Sequence, residues 1–201
     1  NLQAEGAAHV VLTGASSVGG SVQVVRGDSV RIEGARITGD LQIDAQRGAV
    51  EALGNQLGGS LQAVGNRGGV LIDANTMNGN LQCSENLPAP VATGNRATSF
   101  DGQCASGASP AGAGTGGGSS GSGGGGTVPA PGPLSGNVTC NGLRIGAVAL
   151  DTVIVPAGAA CVLEGTSLIG SLLVGQGASV SATGVRINGN LQAEGAAMTT
   201  L

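Results

Sequence analysis

A chain of 201 residues with 40 glycines, one phenylalanine and neither tryptophan nor tyrosine cannot build an ordinary aromatic-rich core. Its net charge of −4 comes from 12 acids against eight arginines, and the charges are scattered. The concentrated positive footprint that nucleic acid requires is therefore missing, and no apolar run approaches the ~18 residues of a membrane span.

A short phrase recurs from the first residue onward. It reads Asn1-Leu2-Gln3, Ser21-Val22-Gln23, Asp40-Leu41-Gln42, Ser60-Leu61-Gln62 and Asn80-Leu81-Gln82, then Ser171-Leu172-Leu173 and Asn190-Leu191-Gln192. The period is 19 or 20 residues, and a fixed period of that size marks a repeat architecture. Each period holds three strand signals. The first is the Leu-Gln phrase, with Val22 and Val24 or Leu41 and Ile43 alternating inward. The second is a further alternating pair: Val10 with Leu12, Val30 with Ile32, Val50 with Ala52, Val70 with Ile72 and Val180 with Ala182. The third supplies one aliphatic residue, namely Val18, Ile37, Leu57, Met77, Leu168 or Ile187. Between the second and third stands Gly14, Gly34, Gly54, Ala74, Gly165 or Gly184, which suits a corner with positive φ.

A unit this short cannot bury its own apolar side, but stacked on its neighbour at ~4.8 Å it pairs every strand. The expected fold class is all-β: a parallel β-helix, or β-solenoid, of 19–20-residue coils, right-handed and triangular. The asparagine and leucine spacing of leucine-rich repeats is missing, and so is a hexapeptide period. Leu2, Val22, Leu41, Leu61 and Leu81 would form an interior ladder. Gln3, Gln23, Gln42, Gln62 and Gln82 would form an outward one, with amides able to bond along the axis.

Glycine-punctuated coils with an aliphatic, aromatic-free interior resemble the bactofilin type of bacterial solenoid, a family of cytoplasmic scaffolds. Gly79-Asn80-Leu81-Gln82-Cys83, Glu85-Asn86, Pro88-Ala89-Pro90 and Gly94-Asn95 through Gln103-Cys104 are also similar to bacterial extracytoplasmic solenoids that end in a cysteine-bearing cap. Both resemblances imply a fold more than an activity.

The four cysteines admit three pairings. Cys83 and Cys104 are 21 residues apart, as are Cys140 and Cys161. One coil of separation brings each pair within disulfide reach, at the ends of the regular repeats where a core must be sealed. There is no Cys-x-x-Cys and a single histidine, so no metal site is expected. Disulfides imply an extracytoplasmic location, secreted or at the cell surface.

Three regions follow: a solenoid segment at 1–104 with a C-terminal cap, a Gly/Ser/Pro-rich linker at 105–135 read as flexible, and a second solenoid segment at 136–201 with an N-terminal cap. Asn190 to Ala197 repeats Asn1 to Ala8 unchanged. Laid as 136–201 then 1–104, the segments make one doubly capped solenoid of about seven coils. The second segment would thus complete the first, in the same or a neighbouring chain. A tandem-array window and an engineered or circularly permuted solenoid fit the same pattern. The chain opens at Asn1 without a methionine or a signal peptide, which suggests processing, truncation or engineering.

No catalytic residues and no cofactor are expected. Asp40 and Asp44 flank one strand, but no loop is long enough to wall a cleft, and the acids read as solvated surface charge. His9 has no Ser or Cys partner at a recognised motif spacing. Gly116–Gly118 lacks the Lys-Ser/Thr of a phosphate loop. The reading is a non-enzymatic, self-assembling fibre subunit whose partner is itself, head-to-tail through 1–12 and 190–201. The alternative is a secreted module binding a cell-surface glycan or envelope partner through its Gln and Arg rows.

Overall fold

The computed structural model describes residues 1–14, 16–105 and 136–200. The linker expected at 105–135 lies, Ala105 excepted, outside the described residues. Within them the chain is an all-β parallel solenoid of about 20-residue coils with three faces.

The first face carries the Leu-Gln strands, such as Leu2–Glu5, Leu41–Asp44 and Leu81–Ser84. The second carries His9–Thr13, Ser29–Glu33, Val50–Leu53 and their equivalents. The third is built from two-residue strands such as Ser17–Val18, Arg36–Ile37 and Gln56–Leu57. Alternation decides which side is buried: Leu41 and Ile43 are fully enclosed while Gln42 and Asp44 between and beside them face out. Val10, Leu12, Val18, Val30, Ile32 and Ile37 complete the same interior column. Register is kept from coil to coil, as Val22 over Leu41 over Leu61 over Leu81. A slip by one residue would expose the whole aliphatic row, which holds the register in place.

The corner between the second and third faces turns at Gly14, Gly34, Gly54, Ala74, Gly165 and Gly184, all with φ between 55° and 73°. The corner between the first and second faces uses the same conformation but tolerates side chains: Arg26, Ala45 and Glu85 are left-handed there, at φ 55–57°. Such residues carry a steric cost of about a kcal/mol, so neighbouring coils must hold them. Two buried amide columns do so beside Ala45, Ala74 and Glu85, and the Arg26 N–H donates to the Asp44 carbonyl one coil away at 3.0 Å.

The first column is Asn55, Asn75 and Asn95. Asn75 Oδ1 accepts from the Asn55 backbone N–H and from Asn55 Nδ2, each at 2.9 Å. Asn75 Nδ2 donates to Asn95 Oδ1 at 3.0 Å and to the Ala52 carbonyl at 2.8 Å. The second column is Gln46, Asn66, Asn86 and Gln103, bonded in the same manner. In the coils below, small apolar residues such as Ala7, Ala35, Val185 and Ala196 fill these corners instead.

The two segments form one stack. Leu191–Glu194 lies in register on Leu2–Glu5, pairing Leu191 with Leu2 through to Glu194 with Glu5. On the second face Thr199 pairs with Val10. On the third, Arg186–Ile187 pairs directly with Ser17–Val18. The first two faces therefore carry a rung at this seam that the third lacks. The first face counts ten strands, the second nine and the third seven among the described residues. The first two exceed the expected seven or so coils because Asn137–Thr139, Leu143–Ile145 and Phe100–Gly102 pair as partial end coils, and Thr152–Val155 adds a first-face rung without the Leu-Gln phrase. Nine strand intervals make the first face about 43 Å long.

Disulfides close both ends, Cys83–Cys104 and Cys140–Cys161, with Cα separations of 5.3 and 5.7 Å.

Candidate functional site

The interior column is enclosed, so along the sides of the solenoid the outward rows of the three faces are open to a partner, and the site question is which row is chemically distinct. On the first face the glutamines Gln192, Gln3, Gln23, Gln42, Gln62 and Gln82 align in one row. Their amides bond only in part. Gln23 Nε2 donates to Gln42 Oε1 at 3.1 Å and Gln62 to Gln82 at 3.5 Å, whereas Gln42 turns to Asp44 and Gln192 to Glu194. A carboxylate two residues along the strand outcompetes the amide above, since a charged acceptor makes the stronger bond.

Asp44 stands partly buried beside the glutamine row. Burial pushes its carboxyl above the ordinary carboxylate range, opposed by the Gln42 hydrogen bond. Its Oδ1 is buried without a partner. A depression of about 640 Å³ lies further down this face, where Leu173 stands in the glutamine row beside Gln176, Gln192 and Glu194.

The second face and its corners hold the ion pairs. Arg26 pairs with Glu5, Arg31 with Glu33 and Glu51, Arg47 with Asp28 at 2.7 Å, and Arg144 with Glu164 at 2.5 Å. All but the Arg31–Glu33 pair join neighbouring coils, so charges that look scattered along the chain are stacked in space. Such exposed pairs stabilise by at most about 1 kcal/mol each. His9 also proves to have a serine partner: its Nδ1 lies 2.6 Å from Ser29 Oγ, one coil away. Stacking brings the two together at a separation of 20 residues, which is not a motif spacing. Among the described residues no three His, Cys, Asp or Glu side chains converge as metal ligands would.

The third face differs from both. Its outward row runs Arg186, Ser17, Arg36, Gln56, Thr76 and, through an isolated bridge, Arg96. All three arginines are exposed, and none forms an ion pair among the described residues. Arg36 Nη2 donates to Gln56 Oε1 at 2.8 Å, which fixes the guanidinium along the axis. Beside it a groove of about 360 Å³ is lined by Arg36, Thr38, Gln56, Gly58, Thr76 and Asn78. Gly58 lets neighbouring coils approach closely there, because a Cβ would collide with the Thr38 carbonyl.

The expected Arg row takes its face and members only from the structure, and the amide columns and the stacked ion pairs lie outside the sequence expectations. Period-20 spacing nevertheless displays their members at 55, 75 and 95, at 66 and 86, and at 31 and 51.

No family model, curated protein or solved structure matches the chain. The likeness to bactofilins thus rests on the coil pattern alone, and the fold is the level at which the chain is placed.

Proposed function

We propose that the chain is a non-enzymatic structural module working outside the cytoplasm, a closed and doubly capped rod whose seam is also its self-association contact. The observation carrying this reading is the in-register stack of Leu191–Glu194 on Leu2–Glu5. Head-to-tail contact satisfies both strand edges within one chain, and an identical contact between chains satisfies them equally.

Three features favour exchange at this layer. The seam lacks a third-face rung. Thr199 buries a hydroxyl with no partner. Glu194 sits beside Glu5, a like-charge pair in register. Because disulfide-bearing coils seal both outer ends, exchange would string rods together through residues 105–135 instead of growing one continuous β-fibre. The covalent tether gives an effective concentration of about millimolar order, so the closed form dominates in dilute solution. The two disulfides support an oxidising location. Glu5, Asp28, Glu51 and Glu164, each engaged by an arginine one coil away, favour surface ion pairing over a role in catalysis.

Refolding across a concentration series, read by light scattering, tests the reading. Multi-chain species should accumulate as concentration rises and should be suppressed in Glu194→Gln, which relieves the seam. A single-chain mass at every concentration would overturn the self-association claim.

A further inference from the structure

The arginines divide into two populations. Arg26, Arg31, Arg47 and Arg144 hold carboxylates of the first and second faces and their corners. Arg36, Arg67, Arg96 and Arg186 hold none among the described residues, and three of these four fall in a single row on the third face. Of the acids within five residues of these three arginines, Glu33 bonds Arg31, Asp40 accepts from the Ser60 backbone N–H at 2.7 Å and Asp101 accepts from Ser99 Oγ at 2.9 Å. On a chain of net charge −4, the outward row of one face therefore presents only positive charge.

The spacing is that of the coils. Arg186 and Arg36 are two strand intervals apart, and Arg36 and Arg96 three, which gives about 10 and 14 Å along the axis. Between them stand neutral hydrogen-bonding groups: Ser17, Gln56 and Thr76 in the row itself, with Thr38 and Asn78 lining the groove beside it. Gln56 occupies one of the five N–H donors of Arg36, whose side chain is exposed.

We infer that the third face is a docking strip for an acidic polysaccharide laid along the solenoid axis. Widely spaced guanidinium groups separated by hydroxyls and amides complement a polymer whose carboxylates are separated by hydroxyl-bearing rings. Nucleic acid fits less well, since the row offers no aromatic side chain for a base to stack on. Without sugar-stacking aromatics the attraction is electrostatic and hydrogen-bonded, so it must weaken with salt. This inference is independent of the assembly reading, because the row lies within single coils and survives whether or not chains exchange.

The test uses the full chain with alginate as probe, and dextran and duplex DNA as controls, by calorimetry or resin retention. Alginate should bind, dextran should not, and affinity should fall roughly tenfold between 50 and 200 mM salt. The triple variant Arg36→Gln/Arg96→Gln/Arg186→Gln should lose at least about tenfold, whereas Arg67→Gln, an unpaired arginine off the row, should change little. Should the triple variant melt early, Arg96→Gln and Arg186→Gln singly should each lose about threefold. Equal losses in Arg67→Gln and the row variants, equal retention on dextran, or tighter binding of DNA than of alginate would each overturn the inference.

Discussion

The coils from Leu41 to Cys104 and those around the seam use one repeat but seal their corners differently. In the upper coils, Asn55, Asn75 and Asn95 on one corner and Asn66 and Asn86 on the other bond neighbouring coils through backbone and side chain. In the seam coils, Ala7, Val185 and Ala196 fill the corners, and their side chains bond nothing. There a polar side chain, Thr199, enters the aliphatic column without a partner. A buried polar group helps a fold only when its whole hydrogen-bonding capacity is met. The asparagine columns from Asn55 upward meet that condition, whereas Asp44 Oδ1 and Gln46 Oε1 at the foot of these coils and Thr199 Oγ1 at the seam do not. Cooperative stability should therefore rise from the seam towards the Cys83–Cys104 cap.

The largest expected effect breaks the better-sealed region. Asn75→Ala strands the Asn55 N–H and interrupts the column above and below, at a cost of about 3 kcal/mol. Denaturant melts should show this as a lower midpoint with the fold intact below it. An effect under about 0.5 kcal/mol would mean that the amide column contributes no more than the alanine corners do.

A smaller effect of opposite sign should repair the seam. Thr199→Val keeps the shape and removes the unpartnered hydroxyl, restoring the valine that Val10 and Val180 provide on either side. Stability should rise by about 1 kcal/mol, and multi-chain species should decrease with it. If Thr199→Val destabilises the chain, the hydroxyl has a partner and the seam is sealed as well as the upper coils.

The smallest effect concerns Asp44, at the foot of the amide-bonded coils. Its folded carboxyl titrates above the unfolded one because burial disfavours the charged form. The stability this group contributes is thus fully present below the unfolded value and is lost as pH rises through the folded one. Asp44→Asn should be slightly more stable than the wild type at pH 7, with the advantage vanishing below about pH 4, the ordinary aspartate range. Paired urea melts at the two pH values check this; an advantage that grew on acidification would reverse the sign.

Much of the fold is legible because a solenoid writes its geometry directly into its period. Leu41 and Ile43 alternate, Gly34 and Gly54 turn, and Cys83 stands one coil from Cys104. What the pattern hides depends on contacts between coils, not within one. Arg31 reaches Glu51, His9 reaches Ser29 and Asn55 reaches Asn75 only because residues 20 apart become neighbours. The left-handed corners at Arg26 and Glu85 are hidden for another reason: no glycine marks them, and neighbouring coils supply the restraint that glycine would make unnecessary. The partial bonding of the glutamine row reflects side-chain choice, with Gln42 preferring Asp44 to Gln62, which a spacing argument does not resolve.

The central claim is that residues 136–200 and 1–104 form one stack through a seam within the chain, and cross-linking tests it most directly. Gln3 and Gln192 are in-register partners on adjacent strands and both are exposed, so Gln3→Cys/Gln192→Cys places two thiols at disulfide distance. Oxidised when dilute, this variant should give a single-chain product in which the two introduced thiols are linked to each other beside the two native disulfides, as located by peptide mapping. Free thiols at both substituted positions, or a link found only between chains in dilute solution, would contradict the account.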